Sequence, residues 1–318
     1  MNRRSFLAAS AAATLPLPAA PLPFPVIDCH IHLFDTERPG GVPWPPKTNA
    51  TLYKPALPDR YKKLATPFGI KGAIEVECSP LLEDNQWVLD TMAKDPIMIG
   101  TIGDLEPGKP DFRKHLDRFR ANPMFLGIRW GTLWGRKFYE EVRTPAAIAD
   151  LKAFAAAGLT LDSATSSPAL IKELIRLTDQ VPDLRIVIDH LPQMNPPEDA
   201  AARRDYEKDL AEIGKRKQVF VKISEVLRRV DGKVNHDVAC YKPRLDQLFG
   251  VFGEDRVVFG SDWPNSDNWA EYPQVFAVVR DYFMAKGPKI AEKYFWRNSV
   301  RAYRWKRRDK SQPDPSKA

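Results

Sequence analysis

Eight short, mostly apolar runs recur along the chain, starting at residues 26, 70, 97, 125, 159, 184, 219 and 256, with 25 to 44 residues from each start to the next. An interval of that length holds the crossover helix that parallel neighbours require, and none is the short turn of a hairpin. After a first strand opening at Val26, the runs predict strands over 70–78, 97–105, 125–131, 159–164, 184–191, 219–225 and 256–263. Helices are predicted between them, among them 59–67, 85–95, 112–120, 198–217 and 245–252, with 272–286 and 288–305 closing the chain. Thr144-Pro145 and Ser167-Pro168 each pair an N-cap residue with a proline suited to the first helical position, and Gly158 supplies a C-terminal stop. Strand and helix alternating eight times predict an α/β fold, a (β/α)8 TIM barrel, as a single domain over 26–305. A doubly wound open sheet is the alternative that the same alternation allows.

The ends read differently. Residues 1–25 begin with Arg3 and Arg4, continue through Ser5-Phe6-Leu7 into an alanine-rich apolar run, and reach small residues at Ala19 and Ala20. That order is a twin-arginine (Tat) export signal with its linker, so the expected location is the periplasm and the Tat machinery is an expected partner. Residues 306–318, KRRDKSQPDPSKA, read as a basic, disordered tail. The formal charge of +7 falls to +5 without Arg3 and Arg4. No basic stripe interleaved with aromatics accompanies it, so nucleic acid is not an expected partner. A mild attraction for small anions is what the charge supports. Three cysteines, Cys29, Cys78 and Cys240, cannot form a complete set of disulfides.

In a TIM barrel the carboxyl ends of the strands build the active site. The first strand ends in VIDCHIHLFD, and two of the five histidines of the chain stand there. On an unbroken strand Asp28, His30 and His32 leave by one face, an arrangement suited to ligands or proton carriers. The other strand ends contribute Glu77, Arg129 with Trp130, Asp162, His190, Lys222 with Ser224, and Asp262. The Pro- and Gly-rich segment 38–58 is too long for a turn, and its Trp44 and Tyr53 either line the mouth of a site or pack on the nearest helix.

DCHIHLFD with a following PW, GIRW, the run from LTLDSATSSPALIKELIRLTDQ to RIVIDHLP, VKIS and RVVFGSDWP, in this order, resemble the amidohydrolase superfamily. Within it the resemblance is to the amidohydrolase-related branch that includes sugar lactonases and 2-pyrone-4,6-dicarboxylate lactonase. It implies that His30 and His32 are the first-strand metal pair, that His190 is the histidine of the IDH motif, and that Asp262 ligates metal and takes a proton from water. Arg129 and Asp162 depart from the metal-rich members, which carry a carboxylate or carboxylated lysine and a histidine there. A guanidinium repels a cation, so two metals are not expected.

His30, His32, His190 and Asp262 suit one Zn²⁺, and the same four can also act without metal; both remain open. The implied activity is hydrolysis of a sugar lactone or carboxylated lactone. Asp262 is then the general base, and His30, His32 and His190 are catalytic beside it. Arg129, Lys222, Glu77, Asp162 and Trp130 are the expected contacts to a small anionic or polyhydroxylated substrate. An Arg129 salt-bridged to Glu77 or Asp162 is the structural alternative. The other functions considered are a metal-dependent decarboxylase of an aromatic or enoic acid, and an exported barrel that binds a ligand without turning it over.

Overall fold

The computed structural model describes residues 21–318. The export signal expected over 1–25 lies almost wholly outside the described residues. From there the chain runs β1 (Val26–Ile31), α1 (Pro58–Ala65), β2 (Ile70–Val76), α2 (Asp84–Ala93), β3 (Met98–Gly103), α3 (Phe112–Arg120) and β4 (Phe125–Gly131). Next come α4 (Phe138–Glu141), α5 (Pro145–Ala156), β5 (Thr160–Ala164), α6 (Pro168–Gln180), β6 (Arg185–Ile188), α7 (Ala200–Gly214) and β7 (Val219–Lys222). A small hairpin, β8 (Arg229–Val230) and β9 (Lys233–Val234), precedes α8 (Val238–Phe252) and β10 (Val257–Val258). The chain then passes through α9 (Tyr272–Ala285), α10 (Pro288–Glu292), a π-helical turn (Lys293–Arg297) and α11 (Asn298–Tyr303).

Eight parallel strands lie in the order β1-β2-β3-β4-β5-β6-β7-β10, so the predicted TIM barrel is the fold. The seam between its first and last strands is closed by Cys29 N–H to Phe259 O (3.0 Å), Asp262 N–H to His30 O (2.8 Å) and His32 N–H to Trp263 O (2.7 Å). Gly260 makes this approach possible, because a Cβ there would stand 2.7 Å from the Cβ of His30. The expected caps are present: Thr144 Oγ accepts from Ala147 N–H and Ser167 Oγ from Leu170 N–H.

One expectation about β1 is corrected. Its register against β2 slips between Asp28 and Ile31, so the alternation of faces breaks within the strand. Asp28 therefore points outward, where Tyr61 of α1 (2.8 Å) and Tyr272 of α9 (3.3 Å) donate to its Oδ2, while Ser261 N–H and His30 N–H bind its Oδ1. Cys29 packs with the small apolar cluster inside the barrel, and Ile31 with the larger layer between strands and helices. Asp28 thus does not share a face with His30 and His32.

The last three barrel strands are shorter than the apolar runs. Each run leaves extended geometry at a left-handed residue near the mouth: His190 (φ 51°), Glu225 (φ 48°) and Asp262 (φ 59°). Helix α8 begins seven residues before the predicted start, on a cap from Asp237 to Ala239 N–H, and carries Pro243 within it. The expected disordered tail is also corrected. Arg308 Nη1 donates to the carbonyls of Met92 (2.9 Å), Asp95 (3.3 Å) and Met98, and Gln312, buried, donates to Pro96 O (2.5 Å).

Candidate active site

Three imidazoles converge on one carboxylate oxygen at the carboxyl end of the barrel. Asp262 Oδ1 lies 3.2 Å from His32 Nε2, 3.5 Å from His30 Nε2 and 3.7 Å from His190 Nε2. Its Oδ2 accepts from Asn265 Nδ2 at 2.7 Å. Partners on the far side of each ring dictate where its proton sits. His32 Nδ1 donates to Val76 O (2.7 Å), so its neutral form turns a lone pair toward Asp262. Lys222 Nζ can only donate, and it donates to His30 Nδ1 (3.1 Å), so the neutral form of His30 carries its proton on Nε2. That Nε2 is buried and has no hydrogen-bond partner. His190 Nδ1 pairs with Ser224 Oγ at 2.8 Å.

The electrostatics follow from burial and these neighbours. Burial alone would raise the carboxyl of Asp262, but His190, His32 and His30 around it hold it well below the usual carboxylate range. Burial pushes His190 down to about 4; burial and then the charge of Lys222 push His30 down as well. An ionised Asp262 beside the depressed imidazoles of His30 and His190, with His32 within hydrogen-bond distance, is a base with hydrogen-bonding groups arrayed about it.

Beneath this ring lies an ionic layer. Lys222 is fully buried, 2.5 Å from Asp162 Oδ2 and 2.9 Å from Asp189 Oδ1, and Tyr303 donates to Asp162 Oδ2 at 3.1 Å. Burial opposes the charge on Lys222, and the two carboxylates more than offset it. Lys222 and Asp162, expected as substrate contacts, are thus sealed under the histidines and spend their charges on each other. Trp130 is also displaced from that role, being 1% exposed and packed edge-on to Phe138 at 5.1 Å. Asp189 escaped the sequence reading. It takes Arg129 Nε at 2.9 Å as well as Lys222; burial alone would raise its carboxyl, but Lys222, His30 and Arg129 hold it well below the usual carboxylate range. The IDH motif contains it, one residue before the histidine that drew the attention.

Above the ring opens a cavity of about 310 Å³. Trp44, Trp134 and Leu133 give it apolar walls, while Arg129, Glu77 and Glu225 add charged groups. Tyr53 is not among its lining, whereas Trp44 stands edge-on to His32 at 5.5 Å. Glu77 Oε2 accepts from Trp134 Nε1 (3.1 Å) and Ser79 N–H (3.2 Å), and its buried Oε1 has no partner. Arg129 pairs with Asp189, not with Glu77 or Asp162 as the alternative had it; only the backbone carbonyl of Glu77 comes within 3.5 Å of it. Glu225 and Asn265, also missed, enter from beyond the strand ends. Burial and then the nearby Asp262 push the carboxyl of Glu225 well up.

The amidohydrolase family profile matches residues 27–305. This chain belongs to the amidohydrolase family. The amidohydrolase is 25% identical over 284 residues to the L-fucono-1,5-lactonase of Burkholderia ambifaria, covering 87% of this chain and 95% of that one. A Burkholderia multivorans amidohydrolase solved with bound zinc superposes with a TM-score of 0.77 at 18% identity, over 88% of this chain and 99% of the other. A probable 2-pyrone-4,6-dicarboxylic acid hydrolase of Acinetobacter baumannii, with citric acid bound, superposes at 0.68 and 17% identity, over 87% and 98%. The branch named from the motifs is the one found, and the assignment supports an enzyme of the hydrolase class. The donor set suits a metal. His30, His32 and Asp262 each bring a ligand atom within 4.8 Å of the others, as do His190, Glu225 and Asp262. His32 offers Nε2 in the tautomer that carries its proton on Nδ1, toward Val76 O; His30 fits in the tautomer that carries its proton on Nδ1, toward Asp189 Oδ1 at 3.6 Å.

Proposed function

We propose that this amidohydrolase is a lactonase whose substrate is an uncharged, polyhydroxylated ring. The observation that carries the reading is the convergence of three imidazole Nε2 atoms on one oxygen of an ionised, fully buried Asp262. Asp262 takes a proton from a water, the water oxygen bonds to the lactone carbonyl carbon, and the ring C–O bond then breaks. The proton held by Asp262 passes to the leaving alkoxide, giving a hydroxy acid. His190, whose ring borders the cavity beside Asp262, is suited to polarising the carbonyl oxygen where the oxyanion develops. A divalent metal, if bound, would be held by His30, His32, His190 and Asp262, and would supply Lewis-acid polarisation of the carbonyl.

The charge balance selects the substrate class. Among the described residues Arg129 is the one Lys or Arg bordering the cavity, and Asp189 already pairs with it. Glu77, Asp262 and Glu225 border the same space. A dicarboxylate would therefore bring its charges to a space that holds the ionised Asp262 and a guanidinium already paired with Asp189. A neutral sugar ring instead finds the two indoles of Trp44 and Trp134 and the free oxygen of Glu77. The sugar-lactonase relative supports the same direction. We also assign the enzyme to the periplasm, on the twin-arginine pattern at its start.

A pH-indicator assay against sugar lactones and carboxylated lactones, with and without chelator, tests this reading. Acid release from sugar lactones is expected, and Asp262→Asn should lower it by about 10²- to 10⁴-fold while the protein stays folded. Activity retained by Asp262→Asn would remove the base, and a preference for dicarboxylated lactones would overturn the charge argument. The chelator arm decides whether metal takes part.

A further inference from the structure

Three asparagine side chains run in single file from the catalytic carboxylate to the loop over the cavity. Asn265 Nδ2 donates to Asp262 Oδ2 (2.7 Å) and to Glu225 Oε1 (2.9 Å). Its Oδ1 accepts from Asn268 Nδ2 (3.3 Å), whose Oδ1 accepts in turn from Asn49 Nδ2 (3.2 Å). Asn49 Oδ1 ends the file by accepting from Leu52 N–H (3.1 Å). The direction is not arbitrary. The ionised carboxylate can only accept, so Asn265 must turn its NH₂ inward and its oxygen outward, which forces the same choice on Asn268 and then on Asn49. Aligned amide dipoles polarise one another, so the donor end at Asp262 is strengthened by those behind it.

Asn49 lies within the 38–58 loop, which also carries Trp44 against His32. The loop is fixed near Asn268 by a second contact, Arg60 Nη1 to Pro55 O and Nη2 to Asp267 Oδ2, each at 3.1 Å. From the other side Arg229, at the start of the β8–β9 hairpin, donates to Asn268 O (3.0 Å). The 38–58 loop and the β8–β9 hairpin thus meet at one asparagine.

We propose that Asn265 is a positioning residue for Asp262, and that Asn268 and Asn49 extend it into a one-way relay by which the seated 38–58 loop holds the carboxylate in its working orientation. The proposal rests on the reading of Asp262 as the base. It predicts that damage to the loop anchor reaches the chemical step, although Asn49 touches neither substrate nor Asp262.

The test combines lactone kinetics with ¹⁵N-asparagine NMR of the full chain. Asn265→Ala is expected to lower kcat by about 10- to 100-fold. Asn49→Ala should lower kcat several-fold with KM nearly unchanged. Asn268→Asp is the directional variant: it can still accept from Asn49, but it has no donor for Asn265, so it should lose kcat as Asn268→Ala does. A rise in KM alone, or full activity in Asn268→Asp, would mean that the asparagines only anchor the loop, and would overturn the relay. The NMR arm needs no turnover. Replacing Asp262 by Ala should shift the side-chain amide signals of Asn49 as well as those of Asn265, and an unmoved Asn49 overturns the proposal. A wild-type enzyme silent on every lactone would sink the lactonase reading, and the Asn49 shift would then decide the relay by itself.

Discussion

Glu75 stands on the outward face of β2, 1% exposed, with the Thr101 hydroxyl on one oxygen and no partner on the other. Burial pushes its carboxyl up to about 8. Between pH 4.5 and 8 the folded protein therefore keeps a proton that the unfolded chain has released, so stability falls as pH rises through that window. Glu75→Gln keeps the shape and removes the titration. Its melting temperature should match the wild type near pH 4.5 and exceed it above pH 8, by on the order of 1 to 4 kcal/mol in unfolding free energy. Equal pH slopes for the two proteins would show that the group titrates normally. Residues of this kind mark the limit of what could be read. Glu75 and Glu77 are two apart and look equivalent in sequence, yet Glu75 borders only a small cleft behind the strand while Glu77 reaches the main cavity. Lys222 and Asp162 likewise looked available for a substrate, because nothing along the chain announces that two charges from different strands will meet in the interior.

At the scale of the element, the bulge in β1 does most to shape the site. It turns Asp28 out to two tyrosines and two backbone N–H groups, and frees both His30 and His32 to face inward. Asp28→Ala would strand those donors in a closed seam, so a loss of about 2 to 4 kcal/mol in urea denaturation is expected. Asp28→Asn, which keeps acceptor oxygen on one side, should lose less; equal losses would count against the clamp. The existence of each barrel strand was legible, because a buried parallel strand is an apolar run. Its end was not. Trp134, Thr165, His190, Glu225 and Asp262 all border the cavity with positive φ, and apart from the histidine and the aspartate none is a residue type that announces such geometry. The β8–β9 hairpin did carry a signal, in Asp231-Gly232 at φ 50° and 78°, the pair that a tight turn favours.

For the whole molecule, the eightfold alternation sufficed to foresee the barrel, while its terminal segment did not fit the disorder that its charge suggested. Arg308 and Gln312 clasp the turn between α2 and β3 through backbone carbonyls, contacts that composition cannot reveal. Removing 306–318 should lower the melting temperature by a few degrees without abolishing folding, as calorimetry can check; an unchanged transition would mean the clasp adds nothing. Deeper in, Trp296, Tyr303 and Trp305 share the interior cluster with Ile27, Cys29 and Val258, and Thr160 Oγ1, at the start of β5, donates to Ala302 O (2.8 Å). The aromatic segment 296–305 is therefore the floor of the barrel. A ribosome makes that floor last, after every wall, and the seam on which His30 meets Asp262 also waits for residues 259–263. The interior of the barrel lacks its aromatic packing from below until residue 305 has emerged. The active site is then a late product of synthesis, and a chain interrupted before its aromatic floor would leave the walls standing around a wet, unfinished core.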